Sequence, residues 1–302
     1  MKHIKILSTV FTAATLLVVS CSNNDDNSAP IQNDYLSIPD AHFETILIEQ
    51  GIDTDGVVNK KMLRSDAESV SRLNLNISTT AGEISNLTGV EGFTNITYLS
   101  AVMHNITEVD LSLNTKLDTL YLTGNNIKNI DISANSNLIF FDIQSNLLTS
   151  ITGLEQATHL KDLDLSSNFL ESINIPNASL EILHMSNNDL KSININQAIN
   201  LQHILLTTNL LTTIDISANT LLETLLISDN HLTALNLENN SKLSHLYVSS
   251  NNFTSFDVSN NLELIDLRID RNPELTCIKI DEVQNIPTTY VANYQELNTN
   301  CE

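Results

Sequence analysis

Three aspartates and three histidines are the side chains in this chain whose types and spacing point to chemistry. Asp142 and Asp162 stand about one 21-residue interval apart, and Asp164 follows two positions later. Carboxylates held side by side can divide the acid and base work of glycoside cleavage, provided burial raises the pKa of one above the other. His184, His203 and His245 fall on a similar interval, and imidazoles gathered on one face are zinc ligands. Tyr98, Tyr121, Phe140 and Tyr247 are interleaved with them, as befits an interface rather than a reaction. The sequence contains no nucleophile elbow, metalloprotease helix or phosphate-binding glycine loop.

Whether these residues meet depends on the element repeated beneath them. Residues 160–170 read LKDLDLSSNFL, with Leu160, Leu163, Leu165, Asn168 and Leu170 at fixed offsets. The first apolar position recurs at Ile96, Leu117, Leu138, Leu160, Leu180, Leu201, Leu222, Leu243 and Leu264. The ninth position holds His104 and then Asn125, Asn146, Asn168, Asn188, Asn209, Asn230, Asn251 and Asn272. A constant period of about 21 residues marks a solenoid. In each turn the alternation Leu-x-Leu is a short strand with every second side chain inward, and stacking the turns makes a parallel sheet over one shared core. Asparagine at the bend can offer a donor and an acceptor to the turns on either side, which keeps buried backbone groups paired. The second half of a turn reads Ile130-Asp131-Ile132-Ser133-Ala134-Asn135 and returns at 214–219 and 256–261. About 21 residues leave no room for a full convex helix, so the outer side is expected to be a short strand and a tight turn. The expected fold is a leucine-rich repeat solenoid, β-rich, with a parallel concave sheet over residues 73–275.

The free strand positions then point outward along the concave face. They place Tyr98, Tyr121 and Phe140 in one aromatic cluster beside Asp142, Asp162 and Asp164. His184, His203, Leu205, Leu226, His245 and Tyr247 make a second, mixed patch, and Arg268 lies beyond it. His245 is two turns from His203, roughly 9–10 Å, too far to share one ion. A flat sheet is expected to offer no pocket to raise one acid, so neither catalysis nor a metal or other cofactor is anticipated.

Outside the array the chain changes character. Residues 1–20 carry Lys2 and Lys5 and then an apolar run over 6–19, too short to span a membrane. The stretch Val18-Val19-Ser20-Cys21 resembles a bacterial lipoprotein signal, which implies lipid on Cys21. Residues 21–34 read as a disordered, Ser/Asn/Asp-rich tether similar to those of surface lipoproteins of the Bacteroidetes group, implying exposure at the outer membrane. With 14 Lys+Arg against 36 Asp+Glu, the chain is unsuited to nucleic acid or a polybasic membrane role. Besides Cys21, only Cys277 and Cys301 remain, and in an exported chain they are expected to form a disulfide.

Residues 35–72 suggest a helical N-terminal cap, with Pro39 where a helix can begin, Phe43, Ile46 and Leu47 at helical spacing, and Gly51 as terminator. Asp53, Asp55 and Asn59 invite a calcium reading, but Val57 and Arg64 stand where a calcium loop needs oxygen ligands, so a polar turn is expected. Residues 276–302 are expected to form a C-terminal cap, a lid pinned by the disulfide, with no further domain after it. The segments Asn86-Leu87-Thr88-Gly89-Val90-Glu91-Gly92-Phe93 and Ile151-Thr152-Gly153-Leu154-Glu155 resemble internalin-type repeats, a likeness that covers residues 38–302. That resemblance implies the fold and a surface location and leaves the ligand open; the expected role is a monomer binding a protein partner on a host or neighbouring cell. Glycan capture by Tyr98, Tyr121 and Phe140, or a purely structural envelope role, are the alternatives.

Overall fold

The computed structural model describes residues 34–76 and 82–301. The signal segment and Cys21 lie outside the described residues. Helix formation starts at Asp40, whose Oδ1 accepts the His42 and Phe43 N–H groups and so caps the helix Ala41–Glu49. Pro39 therefore sits outside the helix, one residue before the cap. The second Asp40 oxygen accepts the Ser85 and Asn86 N–H groups and the Ser85 hydroxyl, which ties the helix to the first coil. Phe43, Ile46 and Leu47 are wholly buried, and Gly51 ends the helix region at φ +68°. The cap also holds an antiparallel pair, Tyr35–Ser37 with Lys61–Leu63, and a short second helix, Arg64–Glu68. Glu44, buried in the first helix, accepts the N–H groups of Asn59, Lys60 and Lys61. Asp55 accepts the Val57 N–H and the Asn59 amide, so these residues close a polar turn on themselves.

From Arg72 onward the chain winds into a parallel solenoid. Its concave sheet has eleven strands in chain order. They are Arg72–Asn74, Tyr98–Ser100, Thr119–Tyr121, Phe140–Asp142, Asp162–Asp164, Ile182–His184, His203–Leu205, Thr224–Leu226, His245–Tyr247, Asp266–Arg268 and Thr288–Tyr290. The register never slips, so the middle residues Leu73, Leu99, Leu120, Phe141, Leu163, Leu183, Ile204, Leu225, Leu246 and Leu267 stack in one fully buried file. A one-residue slip would turn that file to water. Short parallel strands such as Asn129–Asp131 beside Ser150–Thr152, and Ser172–Asn174 beside Ser192–Asn194, line the outer side.

The amides lie in a buried file, with a directionality different from the expected one. Asn188 Nδ2 donates to Leu165 O (3.0 Å) and Met185 O (3.2 Å), while its Oδ1 accepts the Leu170 N–H (3.1 Å). Leu165 and Leu170 belong to the preceding turn and Met185 to its own, so each amide reaches back and not to both sides. Asn125, Asn146, Asn168, Asn209, Asn230, Asn251 and Asn272 repeat the arrangement. His104 does the same work in the first full turn: Nδ1 accepts the Ile84 N–H, which leaves Nε2–H to donate to Leu75 O. A second file runs along the outer bend, where Asn114, Asn135, Asn177, Asn219, Asn240 and Asn261 each donate to two carbonyls of the preceding turn.

The residue before each ladder position is left-handed. Met103, Gly124, Ser145, Ser167, Asn187, Thr208, Asp229, Ser250 and Arg271 all have φ between 55° and 70°. Gly124 adopts that conformation without strain, Asn187 and Asp229 tolerate it, and a β-branched residue such as Thr208 is the least suited to it.

The tail beyond Ile280 corrects the expectation of a lid. Thr288–Tyr290 joins the concave sheet and Glu296–Asn298 joins the outer strands Phe256–Asp257 and Cys277–Lys279, so the tail is one more coil. Gln284 and Gln295 take the two asparagine positions, donating to Val258 O and Asn261 O and to Ile269 O and Asn272 O. The extra methylene hides this coil from the repeat pattern. Cys277 and Cys301 form the disulfide, with Cα atoms 5.7 Å apart.

Thr208→Gly is expected to raise the unfolding free energy by about 1 kcal/mol, the relief of left-handed strain exceeding the added freedom of the unfolded chain. Urea denaturation reads it; a loss of stability would mean that the bend is not strained.

Candidate functional site

The strand register sorts the concave side chains into two rows. One runs Arg72, Tyr98, Thr119, Phe140, Asp162, Ile182, His203, Thr224, His245, Asp266 and Thr288. The other runs Asn74, Ser100, Tyr121, Asp142, Asp164, His184, Leu205, Leu226, Tyr247, Arg268 and Tyr290. Aromatic rings therefore meet diagonally. Tyr98 and Tyr121 have centroids 5.8 Å apart, and Tyr121 and Phe140 4.7 Å apart, with planes tilted by 51° and 38°. Tilted pairs at this range are the favoured aromatic geometry. Asp142 neighbours Tyr121 along its row, Asp162 neighbours Phe140, and Asp164 lies between Asp142 and His184.

The acids do not behave alike. Asp162 has its pKa raised, first by burial and then by the negative charges of Asp164 and Asp142, with His184 opposing. Burial also pushes Asp164 upward, but the His184 imidazole and the Ser166 N–H and hydroxyl outweigh it, and the net direction is down. His184, with Nδ1 3.5 Å from Asp164 Oδ2, is raised chiefly by that hydrogen bond. The expectation that a flat sheet leaves its carboxylates undivided is thus corrected. Neighbouring side chains on the sheet supply the desolvation that a pocket would have supplied. Asp162 and Asp164 are thus shifted in opposite directions, with buried Asp142 beside them on the sheet.

The second patch separates into parts. Leu205, Leu226 and Tyr247 continue the row of His184, while His203 and His245 lie in the other row on either side of Thr224. Among the described residues, no group of three or more His, Cys, Asp or Glu side chains is placed to hold a metal ion. Arg268 is the centre of a distinct cluster. Its guanidinium carbon lies 4.0 Å from the Tyr247 ring centroid and 4.7 Å from that of Tyr290, and Nη2 is 3.4 Å from Asp266 Oδ2. The same carboxylate oxygen accepts the Tyr247 hydroxyl at 2.7 Å. At the opposite end Arg72 stacks on Tyr98 at 3.3 Å.

Arg72, Asp266 and Tyr290 were not among the expected site residues. Leu73 and Leu75 give Arg72 an outward strand position, a signal readable from the alternation. Asp266 is equally readable from the row of Asp162. Tyr290 carries none, because its strand has no inward leucine.

No family model and no curated protein matches this chain. Solved structures do. A leucine-rich repeat protein of Leptospira interrogans is 20% identical with a TM-score of 0.57, over 71% of this chain and 63% of that one. The chain thus spans a little under two thirds of that relative. An internalin of Listeria monocytogenes is 18% identical with a TM-score of 0.53, over 88% of this chain and 96% of that one. A plant peptide hormone receptor, solved in complex with RGF2, is 22% identical with a TM-score of 0.51, over 67% and 38%. The fold is a leucine-rich repeat solenoid. At these identities the likeness concerns the fold alone, and the leucine-rich repeat face of this chain is read from its own residues.

Because His184 is raised above its ordinary 6.5 by Asp164, the pair stabilises the fold below that value and loses its contribution as pH rises through the folded pKa. Asp164→Asn is expected to lower the His184 titration midpoint in NMR and flatten the fall in stability as pH rises from 6.5. An unmoved midpoint would show that the pair is not coupled.

Proposed function

We propose that this chain is a non-catalytic, lipid-anchored surface protein that binds a protein partner through its concave leucine-rich repeat face. The observation that carries the reading is the set of half-buried outward rings, Tyr98 and Phe140 in one row and Tyr121 and Tyr247 in the other, among charged groups on a sheet fixed in register. Rigid aromatic side chains with polar neighbours supply most of the energy of protein interfaces. Eleven strands at about 4.8 Å give a face roughly 50 Å long, sufficient for a protein surface. The internalin and receptor likenesses support a binding role. Sugar stacking is less well served, because the ring faces are tilted against one another and Arg72 covers Tyr98.

Anchoring is inferred from the basic start, the apolar run over 6–19 and Cys21, followed by an acidic tether that would hold the array off an outer-membrane surface as a monomer. Metabolic labelling with a palmitate analogue is expected to mark the full-length protein and not Cys21→Ser. Equal labelling of both would remove the anchor.

Affinity capture with the full-length protein is expected to retain a protein partner that is lost when Tyr98, Tyr121 and Tyr247 are all replaced by alanine. Undiminished capture by that variant, with an unchanged thermal melt, would place binding elsewhere.

A further inference from the structure

Arginine occupies an aromatic cradle at each end of the concave face, and the chain supplies both. Arg72 lies on Tyr98, and Arg268 lies between Tyr247 and Tyr290 with Asp266 beneath it. The third to fifth strands have the same ingredients, rings beside carboxylates, and among the described residues no lysine or arginine is stacked on Tyr121 or Phe140. Tyr121 and Phe140 are in contact at 4.7 Å, and Asp142 and Asp162 follow them in the two rows. In the row of Tyr247 the next residue is Arg268; in the row of Tyr121 the next is Asp142. The position that carries a guanidinium at one end carries a carboxylate here.

That carboxylate is held in place by neutral donors. Gln144 gives its backbone N–H to Asp142 Oδ1 at 3.0 Å and its side-chain amide to Oδ2 at 3.2 Å. His184 pairs with Asp164, and no ion pair from a lysine or arginine to Asp142 or Asp162 occurs among the described residues. Two acids and two rings thus converge on a surface whose negative charge is offset in part by His184 and paired by no lysine or arginine among the described residues. Asp162 is raised in pKa chiefly by burial, with His184 opposing and its acidic neighbours adding to the rise.

We propose that the cradle formed by Tyr121, Phe140, Asp142 and Asp162 receives the guanidinium of an arginine-bearing segment of the protein partner. This rests on the concave face being the binding surface and specifies the chemistry it selects. The ring faces attract the cation through their quadrupole, and the carboxylates accept its N–H groups. The strongly acidic chain would draw a basic segment toward the face and repel an acidic one.

Hexa-arginine titrated calorimetrically into the full-length protein tests this. Binding is expected to weaken about tenfold in Tyr121→Ala and in Asp162→Asn, on the scale of a partly desolvated cation–π contact. Tyr121→Phe, which keeps the ring, is expected to bind as the parent does. Glu263→Gln removes the same charge from an exposed site outside the cradle and is expected to leave affinity unchanged. Equal weakening by Asp162→Asn and Glu263→Gln would reduce the effect to net charge and overturn the proposal. So would full binding by Tyr121→Ala, or an uncharged hexasaccharide binding at the cradle where hexa-arginine does not. If Tyr121→Ala leaves hexa-arginine binding intact while the triple tyrosine variant loses its protein partner, the cradle is wrong and the binding face stands. If the cradle responds as expected while partner capture ignores the concave tyrosines, the face is not the partner's binding surface and the proposal falls with that reading.

Discussion

Everything in this solenoid depends on how the chain leaves each concave strand. At that bend one residue turns left-handed, and the amide that follows it clamps the turn to its predecessor with a donor and an acceptor at once. Without the clamp, the backbone groups carried inward by the bend would be buried unpaired, at about 1–3 kcal/mol each. With it, even Thr208 and Arg271 hold φ values of 60° and 56°. The leucine file supplies most of the burial, but leucines alone would allow a turn to slide. The amides fix its height, and the concave rows stay in register because of them.

That register is what creates a surface out of side chains scattered along the sequence. Asp142 lies a full turn before Asp162 and Asp164 in the chain and becomes their neighbour through strand pairing. Their closeness divides their protonation: Asp162 is raised by burial and like charge, whereas Asp164 is lowered by His184. In an enclosed site such a division would serve acid–base chemistry. On an open sheet it serves as a pattern of charge set against a row of rings. At the far end Arg268 of the chain itself pairs with Asp266 between two rings, and no lysine or arginine pairs with Asp142 or Asp162 among the described residues.

Much of this was legible from the residues. The leucine and asparagine offsets gave the solenoid, the concave rows and the Cys277–Cys301 pair, because each is a direct product of a strict period or of redox context. What escaped notice departed from that grammar while keeping its physics. Gln284 and Gln295 perform asparagine's task with a longer side chain, so the last coil read as a lid. The outer amides Asn114, Asn135 and Asn177 were visible as letters, but their two-carbonyl contacts arise only once the turns are stacked. The split between Asp162 and Asp164 could not be read either: burial pushes both acids upward, and the His184 contact that helps turn Asp164 downward comes from the next turn.

The backward reach of the ladder amides has a further consequence. Each coil carries the group that fastens it to the one before, so a duplicated coil inserted anywhere arrives with its own fastening and disturbs no other. The length of the face is therefore adjustable in steps of about 4.8 Å, by the copying of a single repeat. A lineage can enlarge or trim such a face without redesigning its interior.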